Sequence, residues 1–223
     1  MDIHKPKAAH NLSEFLIEIG TIICGILIAL ALEQAVESVH RNAEVREARR
    51  SVHDELTRNL EWISYSVEED RCFVEQLGAF DRWAKGGPKP SPFRGFSPSP
   101  LTSAWQTVKT NAAPHFSAGE RMQITKVYDL MENNAKVRDT QNARWDDIAG
   151  LSAHSRLQPS EARRLSETAA VFTLETESHA ANNRGIIEDI AKLGIKPVPL
   201  SPFWQQTLDW VCGRGGKDPW KSR

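Results

Sequence analysis

The spacing of hydrophobic positions along this chain changes once. From Phe15 to Leu32 apolar residues fill nearly every position (FLIEIGTIICGILIALAL), and Glu18 is the one charge among them. A helix of about 18 residues rises about 27 Å, close to the hydrocarbon thickness of a bilayer. Such a helix has no polar side to turn to water, so it does not read as the surface helix of a soluble domain. The pattern predicts a tail over residues 1–11 and a transmembrane helix over 12–34, with Asn11 and Glu14 at capping-box spacing marking its start. A cleaved signal peptide is the competing reading, because Lys5 and Lys7 precede the run and Ala29-Leu30-Ala31 has the A-x-A form. Glu14, Glu18 and the unbroken helix formers from Leu32 to Glu37 argue against cleavage.

Beyond Leu32 the spacing becomes that of a one-sided helix. Apolar residues fall at Leu32, Val36, Val39, Ala43, Ala48, Val52, Leu56, Leu60, Ile63, Val67, Val74 and Leu77. Most intervals are three or four, with lapses after Ala43 and after Val67. This predicts a long amphipathic helix over 35–85 that continues the span and is stopped by Gly86-Gly87-Pro88. Residues 86–100 form a proline-rich loop, read as lying against the helical domain because Phe93 and Phe96 are unusual in a passive linker. A proline-rich docking peptide is the alternative.

The region 101–212 completes a helical bundle. A short helix carries Leu101, Trp105 and Val108, and Pro114 closes its turn. Ser117 and Glu120 have capping-box spacing and open a long helix. Its seam runs through Met122, Ile124, Val127, Leu130, Met131, Ala135, Val137, Trp145, Ile148 and Leu151. Pro159 opens the next helix, which carries Leu165, Ala169, Phe172, Ile186 and Ile190, stops at Gly194 and is weakened or kinked at Asn182-Asn183-Arg184-Gly185. The short break between these two helices makes them antiparallel neighbours. A last helix from Phe203 to Val211 reads as a lid, followed by a mobile tail over 213–223. No strand-like alternation or internal repeat is visible, so the fold class is all-α: a span, a long helix with coiled-coil-like spacing, and two further long helices packed as a bundle with shorter ones.

Charge adds little to this picture. Lys and Arg number 28 against 29 Asp and Glu, a formal net charge of −1, with no basic footprint for nucleic acid. Arg41, Arg46, Arg49 and Arg50 are interleaved with acids and read as a solvated helix face with i,i+4 pairs. Basic residues before and after the span nearly balance, and the short basic N-terminus favours placing the domain outside. Cys24, Cys72 and Cys212 lack any metal-type spacing. They read as reduced thiols packed as small apolar groups, with a Cys72–Cys212 disulfide the open alternative.

Candidate chemistry is sparse. Only Glu37 and His40 have the Glu-x-x-His spacing, whereas a di-iron bundle needs two such pairs. Glu175 and His179 share a helix face and read as an exposed ion pair rather than half a metal site. Gly213-Arg-Gly-Gly-Lys217 lacks the spacing and the hydroxyl residue of a phosphate loop, and no GxSxG occurs. His115, Phe116 and Trp105 read as core rather than pocket lining. No catalytic, metal or cofactor-binding residue is assigned, and the chain is not expected to be an enzyme. The residues singled out are Glu18, Thr21, Gly25 and Ala29, a stripe of mostly small side chains that lets two membrane helices approach closely. Glu18 is read as an interfacial acid, with a functional intramembrane carboxylate as the alternative.

The segments HNLSEFLIEIGTIICGILIALALEQAVE, SAWQTVKTNAAPHF and GIKPVPLSP give the chain a resemblance. It resembles a group of proteobacterial single-pass proteins with an N-terminal anchor and a helical remainder, a group without an assigned function. The resemblance implies a bacterial inner-membrane address and brings no activity. The expected function is a membrane-anchored interaction or scaffold protein that self-associates through its span. The alternative is a membrane-tethered ligand sensor acting through a partner. The expected partners are the lipid bilayer, a second copy of the chain and an unidentified protein, with no nucleic acid.

Overall fold

The computed structural model describes residues 12–91 and 99–215. Asn11, Phe93, Phe96 and the end of the tail therefore lie outside the described residues. In chain order the elements are α1 (Leu12–Ala84), α2 (Ser103–Val108), a 3-10 turn (Ala113–His115), α3 (Ala118–Ser152), α4 (Pro159–Ala191) and α5 (Pro202–Val211). The described residues include no strand. Two compact units divide the chain between Glu47 and Ala48.

In the first unit, α1 is a helix with no apolar core of its own. Phe15, Leu16, Ile22, Ile23, Ile26, Leu27, Ile28, Leu30 and Leu32 are all exposed. The stretch has the length and composition of one candidate membrane span, and none of its apolar window is buried.

The second unit holds the core. Phe73, Leu77, Phe80 and Trp83 of α1 meet Trp145, Ile148 and Leu151 of α3 and Leu165, Ala169 and Phe172 of α4. Trp145 is the centre of this cluster, with its ring 4.8 Å from Phe172 and 5.4 Å from Phe73. Contacts fix the directions of the helices. Glu55 meets Tyr128, Asp70 meets Arg138 and Phe73 meets Trp145, so α1 and α3 run parallel. Asn134 meets Asn183 and Arg144 meets Glu175, so α4 is antiparallel to α3. Parallel neighbours cannot be joined by a tight turn, which explains the long connection between Ala84 and Ala118. That connection leaves the Trp83 end, where Lys89 lies over the Trp83 ring at 5.7 Å. It returns to the other end, where Asn59 exchanges two hydrogen bonds with the Leu101 backbone at 2.6 and 2.8 Å.

The helix ends follow from local chemistry. Gly86 has φ +93°, a conformation glycine adopts without strain. The Gly87 amide donates to the Arg82 carbonyl at 2.9 Å and the Gly86 amide to Trp83 at 3.0 Å, the paired bonds of a Schellman cap. Ser117 Oγ accepts from the Glu120 amide at 3.2 Å, but only half of the expected capping box forms. The Glu120 carboxylate instead holds Arg49 of α1 at 2.6 and 2.9 Å. Pro159 opens α4, and Glu161 accepts from the Gln158 amide at 2.8 Å. The expected weak point at Asn182–Gly185 does not interrupt α4, because Asn183 is buried and paired.

α5 closes over α1. Val211 joins the main core, and Leu208 packs with Tyr65 and Cys72. The expectation of reduced thiols is corrected here: Cys72 and Cys212 form a disulfide, with Cα atoms 5.4 Å apart. Spacing alone gave no reason to pair them, because 140 residues separate the two and only the docking of α5 makes them neighbours. Cys24 is a free thiol on the exposed part of α1.

Candidate functional site

The span carries the residues singled out from the sequence. Glu18, Thr21, Gly25 and Ala29 are all exposed on α1. Thr21 turns its hydroxyl inward and donates to the Ile17 carbonyl at 2.8 Å, so the group is satisfied without water. Nothing lies within 4 Å of the point where a side chain would start at Gly20 or Gly25. The strip is therefore open to whatever surrounds the helix. Among the described residues, ion pairing along α1 starts with Arg41 on Glu37 at 2.7 Å.

The second unit holds a feature that the sequence reading passed over. A polar layer crosses its core. α1 contributes Tyr65, Ser66, Glu69 and Asp70, α3 contributes Asn134, Arg138 and Gln141, and α4 contributes Thr176, His179 and Asn183, all buried. Arg138 is its centre: Nη2 donates to Asp70 Oδ1 at 2.7 Å and to Ser66 Oγ at 2.9 Å. The same nitrogen lies 3.7 Å from Glu69 Oε2, and the guanidinium covers the Phe73 ring at 5.2 Å. His179 Nδ1 meets the other Asp70 oxygen at 2.6 Å. Arg138 Nη2 and Asn183 Nδ2 also approach the same Nδ1, at 3.3 and 3.4 Å. Tyr65 donates to Glu69 at 3.0 Å. Burial, then the Glu69 charge, push the Tyr65 hydroxyl well above the ordinary phenol range. Asn134 donates to Asn183 at 2.8 Å.

These residues stand at the seam positions where the apolar pattern lapses. Asp70 fills the gap between Val67 and Val74, while Arg138 and Gln141 fill the gap between Val137 and Trp145. His179 and Asn183 fill the gap between Phe172 and Ile186. The lapses were the available signal: three helices interrupt their seams at one level, and the interruptions meet. Chemically the layer offers paired charges and amides in a packed interior. The paired groups favour one register, because a shifted helix would bury them without partners. Arg138 Nε and Nη1, Gln141 Oε1 and His179 Nε2 are buried without a hydrogen-bond partner among the described residues.

A second polar contact locks the far end. Glu55, buried on α1, accepts from Ser103 Oγ, the Ala104 and Trp105 amides and the Tyr128 hydroxyl, at 2.7 to 3.3 Å. Burial opposes its charge, but these donors outweigh that and hold the carboxyl below its usual range. Glu55 thus caps α2 from another helix, and Trp105 stacks on Tyr128 at 5.5 Å.

The remaining sequence candidates separate. Glu175 does not pair with His179; it holds Arg144 through two bonds of 2.7 Å, while His179 turns into the core. His115 is exposed and Phe116 and Trp105 are buried. Among the described residues no three His, Cys, Asp or Glu side chains converge as a metal site. A surface cleft of about 580 Å³ is lined by Glu75, Gln76, Phe80, Pro90, Val211 and Cys212, and none of the buried polar residues reaches it. Comparison with protein-family models, with curated proteins and with solved structures finds no match for the chain.

Proposed function

We propose that this chain is a membrane-anchored helical interaction or scaffold protein, associating with a second copy through its span. The supporting observation is the first unit itself. From Leu12 to Val39 its large apolar side chains are exposed all around the helix. Removing that surface from water requires lipid or another helix, since patches of this size are not left open on soluble monomers. The stripe of Thr21, Gly25 and Ala29 is where a second helix would approach most closely. The packed polar layer of the second unit favours a rigid module over a ligand-responsive one, so the scaffold reading is preferred to the sensor. The reading assigns the chain no reaction and no cofactor.

The test uses the span in a membrane dimerisation reporter. Gly25→Ile places a branched side chain on the close-contact strip and is expected to reduce the signal several-fold, whereas Leu27→Ile, off the strip, is expected to leave it unchanged. An undiminished signal for Gly25→Ile removes the self-association reading.

A further inference from the structure

We propose that Cys72 and Cys212 are oxidised to their disulfide in the cell, and that the second unit therefore faces an oxidising compartment, with residues 1–11 on the reducing side of the membrane. Three observations carry this. The two sulfurs are joined across α1 and the end of α5. The Cys72 side chain is 2 % exposed and packs with Tyr65 and Leu208, so the bond belongs to the core and not to a loose surface pair. Arg214 Nη2 lies 3.9 Å from Cys72 Sγ, and a guanidinium beside a cysteine favours the thiolate that attacks in disulfide exchange. Disulfides of this kind persist outside the reducing cytoplasm. The same orientation leaves Lys5 and Lys7 on the inner side, as positive charge before a first span prefers.

The oxidant is a disulfide-bearing thiol oxidase. One cysteine thiolate attacks its disulfide to give a mixed disulfide, and the second displaces the oxidase thiolate. The two cysteines lose two electrons and two protons, and the oxidase leaves as its dithiol. Cys212 is half-buried and lines the surface cleft beside Glu75 and Gln76, whereas Cys72 is buried. Cys212 therefore makes the first attack, and the Cys72 thiolate, beside Arg214, displaces the oxidase.

The orientation, though not the disulfide, rests on the reading of 12–34 as a span. The full chain is expressed in Gram-negative cells, quenched in acid, denatured and alkylated with maleimide-polyethylene glycol, with and without prior reduction. Carbonate-washed membranes are analysed in parallel. The expected result is two more adducts after reduction than before. Cys72→Ser and Cys212→Ser are each expected to free one thiol without reductant, a readout that does not require the variant to fold. Full alkylation without reductant overturns the proposal. The two-adduct difference in protein that washes off the membrane supports the oxidising compartment and overturns the span instead.

Discussion

Arg138 sits in the interior with Asp70, Ser66 and Glu69 on one side and the Phe73 ring on the other. Removing one partner of a buried pair leaves the other charge without compensation, at a cost of about 3–5 kcal/mol. Arg138→Met is therefore expected to lower unfolding stability by about that amount, measured by denaturant titration. Replacing Glu69, Asp70, Arg138 and His179 together with apolar residues of similar size is expected to recover most of the loss, because the desolvation cost then disappears with the charges. A single variant as stable as the parent would show that the layer contributes nothing to holding the helices. At this scale the sequence was least legible. Asp70, Arg138 and His179 have the composition of surface residues, and only the seam lapses that they occupy hinted at burial.

Among the elements, α3 and α4 are tied at one end by Asp189. Lys126 of α3 and Lys192 just beyond α4 both reach its carboxylate at 2.6 Å. The Lys126 contact first, then Lys192, hold it down to about 2 from an ordinary 3.8. A depressed carboxyl stabilises the fold above the ordinary range and loses that contribution as pH falls toward the folded value. Asp189→Asn is expected to cost on the order of 1 kcal/mol at neutral pH, since both lysines are half exposed and screened. That cost is expected to shrink as pH falls through about 2 and to vanish only below it. Urea midpoints between pH 4 and 2 should thus converge for the two proteins; parallel curves would contradict the assignment. The long helices and most of their ends were legible, because proline, glycine and 3.6-residue spacing act locally. Glu120 shows where local reading stops: its capping-box spacing is right, but Arg49 on another helix outcompetes the Ser117 amide for its carboxylate.

For the whole chain, the two units ask for different solvents. The second has its own core, with Val52, Leu56, Leu60, Ile124, Val127 and Ile148 fully buried. The first has exposed apolar side chains and no core. A chain beginning at Ala48 is therefore expected to fold and remain in solution without detergent. The intact chain is expected to stay with membranes through a carbonate wash. Helical circular dichroism of the shortened protein and fractionation of the intact one check both halves. An intact chain recovered in solution would remove the anchor.

The sequence by itself determined the all-α class, the apolar stretch and the positions of the long helices. Each of these depends on the spacing of residues close together along the chain. Only the tertiary structure decided that α1 and α3 run parallel, that Glu55 caps α2 and that Cys72 meets Cys212. It also decided that the lapses in three seams form one polar layer. These features pair residues that lie tens of residues or more apart. A charged side chain at a seam position reads as surface until the neighbouring helices supply the partners that make its burial tolerable.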